Sequence, residues 1–206
     1  MTSRTLRPNP RQRLDLVDIW RRERRRAKEP TRTHDPWCRG HGWLLDAGLI
    51  DVLTPLLYGD AFGDTSFYRF TSLGAEPAAQ LLELLPDDYL ARERQNDGPT
   101  MGTVLRAVVA HPDRLRAHGY VIGPSRCDER ITVEGALFRA DEEYRLCPLY
   151  GPQLEHCECE RLYARLQEEF GVDDALVHPH ELDQWFGYNW GPGGYQAETW
   201  YRAWWD

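Results

Sequence analysis

The sequence predicts a mixed α/β fold of the α+β kind, a compact helix-rich body carrying short antiparallel hairpins. Three observations point there. Ile131, Val133, Gly135 and Leu137 alternate with Thr132 and Glu134, the period-2 pattern of a strand. Leu154, Cys157, Leu162, Leu166 and Phe170 lie near one face of a run that begins after Pro152 and stops at Gly171, the pattern of an amphipathic helix. Ser66 to Thr71 and Tyr120 to Ile122 have strand composition beside glycine-containing turns, so strands and helices interleave along the chain.

The elements follow in order. Met1 to Pro10 has no apolar pattern and reads as an irregular tail. A helix is expected over 11–28, where Leu14, Val17 and Trp20 recur at three-residue spacing beside Leu16 and Ile19. Its first half can dock on a core; its second half, Arg21-Arg22-Glu23-Arg24-Arg25-Arg26, cannot. Glu29 to Pro36 reads as a linker. A short helical pattern at Trp43, Leu44 and Leu45 is interrupted at Gly48 and followed by Leu49-Ile50-Asp51-Val52. Two Gly-Asp dipeptides between Tyr58 and Asp64 mark a hairpin turn leading into the strand at 66–71. A helix over Glu76–Leu85 tolerates Pro77 in its first turn and ends before Pro86. After the polar stretch 87–99 comes a helix at 101–110, then a short helical turn from His111-Pro112 to Gly119. Beyond Gly171 the chain reads as turns and aromatics.

A chain of 206 residues can bury a core unaided and is expected to form one domain with an appendage. Charge divides it. Residues 1–32 carry eleven Arg and Lys against four Asp and Glu, a net +7, and residues 33–206 carry fourteen against twenty-nine, a net −15. We therefore expect a basic N-terminal tail and helix (1–32) and an acidic globular α+β domain with an aromatic C-terminal segment (33–206). No apolar run approaches the roughly 20 residues of a membrane span, and the N-terminal arginines precede no apolar signal region, so a cytoplasmic protein without membrane contact is expected. The five cysteines, an odd and sparse set, read as thiols or metal ligands rather than a disulfide framework.

Within residues 44–85 a helix, Gly48-Leu49-Ile50, a turn, the strand Tyr68-Arg69-Phe70-Thr71, and Thr71-Ser72-Leu73-Gly74 opening another helix follow one another. This order resembles the later half of bacterial winged-helix domains. The resemblance implies DNA or protein recognition around the hairpin at Gly59–Asp64. Trp43–Ile50 holds Asp46 and no Arg or Lys, so it lacks the positive charge that phosphate contacts need.

Four further features carry candidate chemistry. Arg21, Arg22, Arg24, Arg25, Arg26 and Lys28 form a basic arm suited to an acidic protein surface, a second copy, or nucleic-acid phosphates. Cys147, His156, Cys157 and Cys159 bring soft ligands together for zinc, but a helix running from 154 separates Cys157 from the face shared by His156 and Cys159. His34, Cys38 and His41 place three ligand types within eight residues, a second zinc candidate that lacks a fourth ligand. His178-Pro179-His180-Glu181 and Asp183 gather groups for acid–base work, while nucleophile-elbow, zincin and phosphate-loop motifs are missing. The glycine-spaced aromatics from Trp185 to Trp205 suit packing onto the core or a partner surface.

The leading expectation is a non-enzymatic binding or regulatory module that engages a macromolecular partner, a protein or a second copy, through its basic arm and acidic body. A small metal-dependent enzyme using the histidine and cysteine sets is the alternative, and winged-helix DNA binding is the third reading.

Overall fold

The computed structural model describes residues 10–27, 39–59, 67–148, 154–185 and 199–206, with side chains from Val17 onward in the first helix. Helices α1 (Pro10–Arg26), α2 (Trp43–Asp46) and α3 (Leu49–Leu53) lead into strands β1 (Leu57–Gly59) and β2 (Phe67–Leu73). Then come α4 (Ala75–Leu84), α5 (Asp87–Leu90), α6 (Met101–Ala110), β3 (Leu115–Ile122), β4 (Arg130–Arg139), α7 (Cys159–Phe170), β5 (Glu181–Trp185) and β6 (Trp200–Trp204). The strands form one antiparallel sheet in the order β1-β2-β3-β4-β6-β5, so the fold is α+β.

Strand alternation gives the sheet two different faces. One is apolar: Phe70, Leu115, Ala117, Val121, Val133, Phe138 and Tyr201 join a single core with Leu81 of α4, Val104 and Val108 of α6, and Leu162, Leu166 and Phe170 of α7. The other carries Arg69, His118, Glu134 and Arg202, and its buried apolar residues Tyr120, Ile122, Leu137 and Trp200 stand outside that core cluster.

Helix ends are satisfied by local caps and, at α2 and α6, by groups distant in sequence. At the start of α6 the Thr103 N–H donates to the Thr100 hydroxyl at 3.3 Å. Asp174, beyond α7, accepts from the Thr100 N–H at 3.1 Å and from the Thr100 and Thr103 hydroxyls at 2.6 and 2.9 Å. At α2 the buried Glu129 carboxylate accepts from the Gly42 N–H and, at 3.1 Å, from the Leu44 N–H. Burial pushes the Glu129 carboxyl up to about 7, and does the same to Glu93. Gly171, with φ 70°, ends α7 in the left-handed conformation that glycine adopts without strain.

In the pairing of β3 with β4, His118 lies opposite Gly135 while Gly119 lies opposite Val133, so Glu134 is the extra residue of a β-bulge. Strand β6 pairs with β4 only over Gly135–Arg139. The preceding half of β4 pairs with β3 and is met otherwise by the Tyr89 hydroxyl, which donates to the Ile131 carbonyl at 2.6 Å, while at the bulge the Trp205 N–H donates to the Glu134 carbonyl at 2.9 Å.

Several expectations need correction. Residues 115–119 belong to β3 rather than to a helical turn, because Leu115 and Ala117 enter the core while Arg116 and His118 take the opposite face. The C-terminal aromatics include strands β5 and β6, with Trp205 fully buried in the core. The β1–β2 hairpin is the sheet edge and not a free wing, since β2 pairs with β3 from Phe67 to Leu73; the winged-helix likeness is not reproduced. Its turn, 60–66, lies outside the described residues.

Trp20 is fully buried beside Tyr68, with ring centroids 5.9 Å apart, and so anchors α1, while Arg21, Arg22 and Arg24 to Arg26 beyond it are exposed. Trp20→Ala should therefore cost about 3–5 kcal/mol in urea unfolding, whereas replacing Arg22, Arg25 and Arg26 by serine should stay within about 0.5 kcal/mol per site. Glu93 and Glu129 hold their protons more tightly folded than unfolded. Their contribution to stability is full below their ordinary value of 4.5 and is lost as pH rises through about 7. The urea midpoint should fall between pH about 5 and about 8, and Glu129→Gln should flatten that slope.

Candidate metal centre

Helix α7 starts at Cys159, well after Pro152, because His156 adopts a left-handed backbone with φ 61° that a continuing helix could not contain. Cys157 therefore precedes the helix, and the obstacle that an earlier helix start would impose disappears. A reciprocal clasp draws the two segments together. The Glu158 N–H donates to the Arg145 carbonyl and the Arg145 N–H to the Glu158 carboxylate, each at 2.8 Å.

The clasp brings the sulfur atoms of Cys147, Cys157 and Cys159 all within 4.8 Å of one another. Two backbone donors face them. The Cys147 N–H points at the Cys159 sulfur and the Leu154 N–H at the Cys147 sulfur, each at 3.4 Å. Such donors stabilise sulfur that carries negative charge. A tetrahedral zinc with bonds of about 2.3 Å separates its sulfurs by roughly 3.8 Å, so the cluster needs little contraction to take one. A hydrogen bond from Cys147 lowers the Cys157 thiol below its ordinary value, and burial pushes Cys159 up to about 11.

Other candidates fall elsewhere. His156 is exposed and outside the sulfur cluster, so the four-ligand set reduces to three cysteines among the described residues. His34, Cys38 and Lys28 lie outside the described residues; His41 places Nδ1 2.8 Å from the Pro124 carbonyl and joins no ligand group among the residues described. His178 sits 3.3 Å from Glu160 and packs on the Tyr163 ring, while His180 Nδ1 accepts from the Asp206 N–H at 3.1 Å. Glu181 and Asp183 pair with Arg202 at 2.5 and 2.8 Å. These histidines and carboxylates are divided among separate contacts rather than gathered into one acid–base centre. On the arm, Arg24 pairs with Asp46 at 2.6 Å and Arg21 with Asp18 at 3.5 Å.

Sequence reasoning missed the clasp, because Arg145 and Glu158 look like ordinary surface charges. It also missed the cleft around Arg69, His118, Glu134 and Arg202, which lie on four strands of the same sheet. Only period-2 alternation on each strand could have pointed to them. No protein-family model, no curated protein and no solved structure matches this chain.

Proposed function

We propose that this chain is a non-enzymatic binding module, closed by a zinc ion on Cys147, Cys157 and Cys159, that engages an acidic macromolecular surface through the second half of α1. The convergence of three sulfurs within 4.8 Å, with backbone N–H groups turned toward two of them, carries the metal assignment. Thiolate-rich sites of this kind favour zinc and serve mainly to hold a fold together. Zinc here would tie the segment after β4 to the first turn of α7.

The partner assignment rests on α1. Arg22, Arg25 and Arg26 stand at i, i+3 and i+4, hence on one helix face, and are exposed without an ion-pair partner among the described residues. Cationic side chains at a helix C-terminus also complement its dipole, which helps α1 without occupying the guanidinium forks. An acidic protein surface, the −15 body of a second copy included, would supply the missing countercharge.

Native mass spectrometry of protein prepared with zinc should show one ion per chain, removable by chelation and lost in Cys159→Ser. At free zinc about 100-fold above Kd, the ion should add about 2.7 kcal/mol to stability. Absence of a bound ion, with thiol reactivity unchanged by added zinc, would reject the centre. For the arm, capture of a partner or a second copy should weaken with salt and be abolished by reversing Arg22, Arg25 and Arg26 to glutamate. An association that survives both changes excludes this face as the contact.

A further inference from the structure

We propose that Cys147, Cys157 and Cys159 together bind trivalent arsenic, taken up as arsenous acid; the inference rests on the sulfur convergence behind the zinc reading and does not need zinc. Coordination number carries it. The three sulfurs lie within 4.8 Å of one another, and among the described residues no histidine, carboxylate or further thiol joins them. Residues 148–153, Pro-Leu-Tyr-Gly-Pro-Gln, add none of these groups to the intervening sequence. Zinc takes four ligands and would have to complete its shell from outside this set. Trivalent arsenic takes three and keeps a lone pair at the fourth corner of its tetrahedron, so three soft thiolates satisfy it.

The cluster is free to contract. Arsenic–sulfur bonds are nearly as long as zinc–sulfur bonds of about 2.3 Å, so sulfurs at most 4.8 Å apart have only a short distance to close. Cys157 precedes α7 and Cys159 is its first residue, so neither thiol is locked in a helix interior. The Cys147 and Leu154 N–H groups, each 3.4 Å from a sulfur of the cluster, can keep these contacts once the sulfurs are bonded.

Entry and charge favour the same ligand. All three cysteines are half-buried and none belongs to the hydrophobic core, so a small solute reaches them from the surface. Arsenous acid is uncharged at neutral pH, and the net −15 of residues 33–206 does not repel it as it would an oxyanion. Each step forms one As–S bond, breaks one As–O bond and carries the thiol proton away in a water molecule. Three thiols release three waters, and arsenic stays trivalent, so no oxidant or reductant is required.

Mass spectrometry of the reduced full chain, treated with chelator and then with sodium arsenite, tests the assignment. One arsenic should add per chain with loss of three hydrogens; an adduct on two thiols keeps a hydroxyl and is heavier by one water. Cys127→Ser, which removes an exposed thiol outside the cluster, should leave the three-hydrogen signature intact. Cys159→Ser should give only the hydroxyl-bearing form and, in an arsenite titration, bind ~100-fold more weakly, the advantage of a third ligand already tethered to the site. The proposal is overturned if no adduct forms, if the adduct of the unsubstituted chain keeps a hydroxyl, or if the Cys159→Ser adduct still loses three hydrogens. A chain that binds zinc but takes no arsenic after chelation removes this inference alone, whereas a three-hydrogen arsenic adduct on a chain that binds no zinc supports it and removes the zinc reading alone.

Discussion

The extra residue at Glu134 organises much of the sheet. Before it, β4 pairs with β3 but lacks a β6 partner; Ile131 exchanges hydrogen bonds with the Tyr89 hydroxyl instead, and at the bulge itself the Glu134 carbonyl accepts from the Trp205 N–H. After it, Gly135 to Arg139 form a ladder with β6, which in turn carries β5. A bulge disturbs the ladder locally, and here it marks the boundary between these two regimes. It also lets Ile131 and Val133 on one side and Ala136 and Phe138 on the other reach the same core, while the glutamate stays opposite. A regular strand would put residues 133 and 136 on different faces, because side chains alternate with period two.

The sulfur cluster depends on a similar local departure. A helix extended back through His156 would turn Cys157 and Cys159 away from each other, since neighbours two apart on a helix do not share a face. The left-handed residue at His156 ends that possibility and frees Cys157. The Arg145–Glu158 clasp then replaces helical hydrogen bonds with contacts to the chain after β4. Three soft ligands meet because regular structure stops just ahead of them.

The parts of this arrangement that were legible in the sequence are those governed by local periodicity. α4, α6, the break at Gly48 and the core of β4 follow from apolar spacing and breakers. Residues 115–119 misled because two apolar positions flanked by Arg116 and His118 fit a helical turn as well as a short strand; pairing with β4 decided between them. Strand β6 was hidden because Trp200, Tyr201, Trp204 and Trp205 make an aromatic run in which alternation appears only once Tyr201 and Trp205 are seen in the core. Of the zinc candidates, the three cysteines could be named from the sequence. Their convergence could not, since it depends on a backbone conformation at His156 and a clasp spanning thirteen positions.

The distribution of charge bears on the binding proposed for α1. Many arginines of the body are committed within it: Arg114 and Arg165 to Glu169, Arg126 and Arg130 to Asp128, and Arg202 to Glu181 and Asp183. Carboxylates still outnumber them by fifteen, so the body repels itself at neutral pH. The one described ion pair joining arm to body is Arg24 with Asp46. It lies beside the α2 start that Glu129 caps, and fixes the direction of α1 without using the face formed by Arg22, Arg25 and Arg26. Grouped on one face, the three guanidiniums repel one another, and the acidic surface proposed as their partner would relieve that repulsion. The buried Trp20 anchors the helix that bears this face, so the proposed partner would meet it in a fixed orientation and with less conformational entropy to lose than a free tail.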